Sequence, residues 1–168
     1  MNLSTDAMAA PAVALHPLLL RLVQETGAAL LDAETFEAWV EQPGAAMVVF
    51  VEDPERYKET LDLAVIVPEL HASRPGRFRV ALLPPTPARA LAKRYGFARW
   101  PAFVMLRDGR YLGAVDGLRD WDVYLGELDR LLAAPPSRPP TIGIPVTVAG
   151  QPESASSHRC EGANPCSP

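Results

Sequence analysis

Residues Lys93–Gly117 read KRYGFARWPAFVMLRDGRYLGAVDG, and this stretch decides the fold. Two apolar runs, Ala102–Arg107 (AFVMLR) and Arg110–Val115 (RYLGAV), flank Asp108-Gly109. That dipeptide tolerates the positive φ angles of a tight hairpin turn, so the two runs read as paired antiparallel strands. Just upstream, Thr86-Pro87 reads as a cap followed by a first-turn proline. It opens a helix through Leu91 to Tyr95, and Gly96 supplies the left-handed residue that ends it. Trp100-Pro101 joins that helix to the hairpin.

Working toward the N-terminus, Phe78, Val80 and Leu82 alternate with Arg77, Arg79 and Ala81, the period of a strand. Ala45–Val51 (AAMVVFV) is apolar throughout, as in a strand covered on both faces. Between these two, Glu52-Asp53-Pro54-Glu55 leads into a helix running to about Ser73. Tyr57, Leu61, Ala64 and Val65 give it helical spacing, and Pro68 predicts a kink. Further upstream, Pro17 opens a short amphipathic helix carrying Leu18, Leu19, Leu22 and Val23 to about Gly27. Ala28–Leu31 then reads as a brief strand. Asp32 caps a helix with Glu34 and Glu37 in its first turn and Phe36, Trp39 and Val40 facing inward; Pro43-Gly44 stops it. After the hairpin, Asp120 caps a last helix striped by Trp121, Tyr124, Leu125, Leu128 and Leu131 or Leu132. The order is (α)βαβαβαββα. The first three strands, separated by helices, call for parallel crossovers, while the hairpin adds an antiparallel edge. The chain is therefore an α/β protein with a mixed central sheet flanked by helices.

Composition divides the 168 residues. All 12 aromatic residues lie at or before Tyr124, whereas 8 of the 18 prolines and both cysteines fall in the last 34 residues. This predicts a flexible N-terminus over 1–16, one domain over 17–134, and a Pro-rich, largely disordered tail over 135–168. A body without cysteine excludes a disulfide scaffold or a zinc module within it. Apolar runs such as Met47–Val51 fall far short of the roughly 20 residues that cross a bilayer, and residues 1–16 lack a signal-peptide pattern. A cytoplasmic protein without direct membrane insertion is expected. Residues 1–69 carry net charge −9 and residues 70–134 net +5. Two solvated surfaces or an acidic face for a basic partner both account for this. No basic stripe interleaved with aromatics argues for nucleic acid.

The Lys93–Gly117 pattern of helix end, Tyr-Gly, loop, X-Pro, strand, turn and strand resembles the thioredoxin fold. That resemblance implies a cis Trp100-Pro101 bond, which proline makes accessible, and matches Pro68 to the proline of the thioredoxin active-site helix. Counting back from Pro68 by the same resemblance puts the Cys-x-x-Cys window on Thr60-Leu61-Asp62-Leu63. No cysteine lies anywhere from Val49 to Leu70. Thiol–disulfide exchange needs a thiolate and a resolving sulfur, so the body is not a dithiol oxidoreductase.

Four segments extend the resemblance: HPLLLRLVQETG, AALLDAETFEAWVEQPG, AAMVVFVEDPERYKET and RYGFARWPAFVMLRDGRYLG. Together they are similar to hydrogenase expression/formation proteins of the HupG/HyaE (HoxO) type, which have a thioredoxin-like fold without the Cys-x-x-Cys motif. The resemblance implies a non-catalytic accessory chaperone without a cofactor. Its implied partner is the small-subunit precursor of an uptake nickel–iron hydrogenase, with its twin-arginine signal peptide, before export; other hydrogenase accessory proteins are further candidates. Glu52, Asp53, Glu55, Glu59 and Asp62 could accept bidentate hydrogen bonds from paired arginines. Acids at a helix N-terminus also stabilise the helix itself, so both readings stand. Trp100 and Pro101 flank the loop that receives extended polypeptide in thioredoxin-like proteins. A tryptophan there serves equally as an interface anchor or as core packing.

Other residues offer less. His71 sits near a helix end without a second ligand, and His16 precedes the first helix. In the tail, His158, Cys160 and Cys166 are weak metal or disulfide candidates, because zinc favours four ligands and a Pro/Ser segment loses entropy on ordering. Ile142, Ile144, Val146 and Val148 alternate with other residues as an edge strand would. Two alternatives follow: a thiol-redox protein using the tail cysteines, or a general thioredoxin-like adaptor with another client.

Overall fold

The computed structural model describes residues 15–140. The elements are α1 (Pro17–Thr26), β1 (Ala29–Leu30), α2 (Phe36–Val40), β2 (Ala45–Phe50), α3 (Glu59–Ser73), β3 (Arg79–Leu83), α4 (Pro85–Tyr95), β4 (Ala102–Arg107), β5 (Arg110–Asp116) and α5 (Trp121–Ala133). One five-stranded sheet runs in the order β1-β3-β2-β4-β5. Strands β1 and β2 lie parallel to β3, β4 is antiparallel to β2, and β5 is antiparallel to β4. The fold is α/β and thioredoxin-like, in the order read from the sequence.

The apolar strands are explained by two cores. Successive side chains of a strand point to opposite faces, so a strand buried on both sides has no polar positions to spare. Met47, Val49, Val80 and Leu82 join Leu19, Leu22, Leu63, Val67, Tyr124 and Leu128 on the side of α1, α3 and α5. Val48, Phe50, Ala81 and Leu83 join Phe36, Val40, Ala88 and Tyr95 on the side of α2 and α4. The hairpin turns on Asp108 and Gly109, both at positive φ (51° and 74°). Asp108 Oδ1 also accepts the Gly44 N–H at 2.8 Å, fixing the turn to the start of β2. Helix α5 lies so close to β5 that a Cβ on Gly113 would collide with Leu131 Cδ2.

Four local expectations are corrected. Asp32 does not begin α2 directly: its Oδ1 accepts the N–H groups of Glu34 (3.0 Å) and Thr35 (2.7 Å), closing a turn, and the helix starts at Phe36. α4 starts at Pro85, ahead of Thr86-Pro87, because a first-turn proline gives up an N–H that has no helical partner. α3 starts at Glu59 and buries Thr60, Leu63, Ala64, Val67 and Leu70; Val65 is exposed. Asp120 makes no side-chain cap bond, and Trp121, at the first turn beyond the core, is 43% exposed. Just past Ala134 the Ser137 N–H bonds the Tyr111 carbonyl at 2.7 Å, and Arg107 bonds the Leu132 and Ala134 carbonyls.

Candidate functional site

Two loops meet at one end of the sheet: the segment leading into α3, and the segment from Ala98 to Pro101 leading into β4. The Trp100-Pro101 bond is cis, as the resemblance implied. Between the loops lies an open groove of about 530 Å³ lined by Tyr57, Glu59, Ala98, Arg99, Trp100, Gly117 and Leu118. Trp100 is half-buried and meets Phe97 edge-on at 5.2 Å, so it packs inward and lines the groove as well. Phe97 in turn meets Phe50 at 5.2 Å, which ties this wall to the core. Pro101 is buried and shapes the loop without lining the groove.

The far wall is built from the chain entering α3. Asp53 Oδ1 accepts the Glu55 N–H at 2.9 Å, and the Asp53 carbonyl accepts the Tyr57 N–H at 2.8 Å. This turn sets Tyr57 and Glu59 against the groove. Thr60, the first residue of the would-be dithiol window, is wholly buried, and its hydroxyl donates to the Glu52 carbonyl at 3.2 Å. Leu63 is in the core, while Asp62 is exposed one turn further along α3.

The acids of this segment therefore separate. Glu52 is 3% exposed and forms a forked pair with Arg89 of α4, one arm measuring 2.7 Å. The Arg89 bonds hold its carboxyl below the usual carboxylate range, burial opposes them, and the Asp53 N–H at 3.0 Å assists. Glu52 and Asp53 line a different cavity, with His16, Pro85 and Arg89. Glu55 is exposed on the intervening turn. Only Glu59 of the five acids lines the groove beside Trp100.

Asp116, at the end of β5, was not singled out by sequence. Its Oδ2 accepts the N–H groups of Ala98 (3.0 Å) and Arg99 (3.1 Å), and its Oδ1 accepts Arg119 Nη2 at 3.1 Å. The next N–H, of Gly117, bonds the Pro101 carbonyl at 2.8 Å, and the Gly117 carbonyl accepts the Tyr124 hydroxyl at 3.1 Å. Burial pushes the Tyr124 hydroxyl up, so it stays protonated as a donor. The one available signal was an Asp-Gly pair closing the last strand.

Among the described residues, no group of three or more His, Cys, Asp or Glu could hold a metal ion. His158, Cys160 and Cys166 lie outside the described residues, as does the alternating Ile142–Val148 segment. No described helix is long and apolar enough to cross a membrane.

This groove without a dithiol is what a family match must account for, and a match exists. The family model for the hydrogenase-1 expression protein HyaE matches residues 18–124. The chain belongs to the HyaE family. It is 40% identical over 138 residues to the hydrogenase expression/formation protein HoxO of Cupriavidus necator, covering 81% of this chain and 86% of that one. It is 33% identical over 127 residues to the hydrogenase expression/formation protein HupG of Rhodobacter capsulatus, covering 75% and 92%. A crystal structure of a protein described as hupG, from Rhodopseudomonas palustris, is similar at 31% identity and a TM-score of 0.45, covering 62% of this chain and 95% of that one. The matched span of the HyaE family includes both walls of the groove.

Proposed function

We propose that this HyaE-family chain is a non-catalytic accessory chaperone acting in the cytoplasm. It holds the small-subunit precursor of an uptake nickel–iron hydrogenase, with its twin-arginine signal peptide, before export. The observation that carries this reading is the groove between Trp100 and Glu59, with a buried threonine where a dithiol enzyme would need sulfur. An indole and the apolar faces of Tyr57 and Leu118 suit an unfolded apolar segment. Glu59, with Asp62 beyond it, supplies carboxylates for an arginine pair, and partial desolvation in the groove strengthens such bonds. Thiol exchange has no nucleophile in this body.

A pull-down with the full-length precursor and with the precursor lacking its signal peptide tests the reading. Retention of the first and loss of most of the second is the expected result. Failure to retain either sinks the chaperone assignment; equal retention of both removes the signal peptide from the recognised part.

A further inference from the structure

We propose that Asp116 is the positioning residue of the groove: it fixes the loop that carries Trp100 and sets the charge of that wall. This deepens the peptide-recognition reading above and rests on it. The geometry places one carboxylate, its side chain only 20% exposed, at the junction of three elements. Oδ2 takes both the Ala98 and Arg99 N–H groups. Among the described residues, Asp116 is the sole side chain that hydrogen-bonds the main chain of 97–101. Two N–H groups aimed at one ionised oxygen are short of alternatives other than water, and a charged acceptor makes each bond stronger than a neutral one. Trp100 follows directly on the two anchored residues, so its indole is aimed by this bond pair.

The second oxygen governs charge. Oδ1 bonds Arg119 and stands 3.7 Å from the Arg99 Nε. Arg99 lines the groove opposite Glu59. With Asp116 ionised, the two guanidiniums are partly neutralised, and Glu59 faces an incoming cation with reduced opposition. With Asp116 replaced by a neutral residue, Arg99 at the groove and Arg119 behind it would both lose their counter-charge and repel an arginine pair. One residue thus couples the shape of the wall to its tolerance of basic peptides.

The test uses the full chain with two synthetic peptides. One bears paired arginines before an apolar run; the other has those arginines replaced by glutamates. Asp116→Asn keeps the shape and one acceptor oxygen but removes the charge. It should weaken binding of the arginine peptide by about tenfold, as expected for one charged interaction. The loss should shrink as salt rises, and the glutamate peptide should bind better than it does to wild type. Adding Arg99→Gln and Arg119→Gln to D116N should restore much of the arginine-peptide affinity, an outcome a purely structural role would not give. Amide exchange at Ala98 and Arg99, read without any peptide, should quicken by about tenfold or more in Asp116→Ala.

Unchanged exchange at both amides overturns the positioning role. Peptide binding that is the same in wild type and D116N at every salt concentration overturns the charge role. A wild-type chain that binds neither peptide defeats the recognition reading, a failure distinguished from the first because exchange is measured without a partner.

Discussion

Glu52 and Glu59 lie on the same short acidic segment, yet the fold puts them in opposite surroundings. Glu52, two residues past the end of β2, is buried and engaged by Arg89 and the Asp53 N–H. Glu59, at the start of α3, is exposed and lines an open groove beside Trp100. A buried charge persists only when its bonds are satisfied, and once satisfied it has little left to offer a partner. An exposed carboxylate stabilises the fold little and keeps its acceptors free. The lesson is that the acidity of this segment is not one surface. Its first part is held within the architecture, and its last part is left exposed at the groove.

The largest effect expected from this contrast is on stability. Glu52→Ala should destabilise the fold by about 2 kcal/mol in a denaturant titration, less than the loss of a wholly buried pair because Arg89 is 52% exposed on its side chain. Glu59→Ala should shift the midpoint hardly at all. A comparable loss in both would erase the distinction.

The pH dependence sharpens it. Because the Glu52 carboxyl is held below its ordinary value, the folded state binds fewer protons there than the unfolded chain does. Its contribution is therefore complete above the ordinary carboxylate range and is lost as pH falls through the lowered folded value. Thermal melts of wild type should fall in that acidic window, and Glu52→Gln should flatten that part of the slope. An unchanged slope would mean that other carboxylates carry it.

A smaller effect is expected on binding. Reversing Glu59 and Asp62 together to lysine should weaken capture of the precursor by about tenfold, more at low salt than at high salt. Glu52→Gln, compared well below its melting temperature, should leave capture unchanged. The smallest effect is at Glu55: exposed and outside the groove, it should alter stability by less than about 0.5 kcal/mol on replacement by alanine, as surface changes do.

The sequence already showed the architecture because its signals are local. Asp108-Gly109, Gly96 and the apolar run Ala45–Val51 each declare an element within a few residues, and the observed element order follows them. The buried face of α3 was misread for an equally local reason. Leu61–Val67 is so uniformly apolar apart from Asp62 that several helical stripes fit, and only packing against Leu19, Leu22 and Tyr124 selects Leu63, Val67 and Leu70. Trp100 was legible as a candidate on resemblance, and its position at the groove bears on it. Asp116 and the Glu52–Arg89 pair were not legible, because each joins residues brought together only by the sheet and its crossovers. A carboxylate's partners, rather than its neighbours in sequence, decide whether it is free to bind.

The central claim is that Glu59 and Asp62 meet the paired arginines of the precursor, and a charge swap tests it most directly. The chain carrying Glu59→Arg and Asp62→Arg is paired with a precursor whose two signal-peptide arginines are replaced by glutamates, and affinity is measured for all four combinations. The account predicts that each change alone weakens binding and that the two together recover most of it. Two losses that simply add, with both proteins folded, would contradict it.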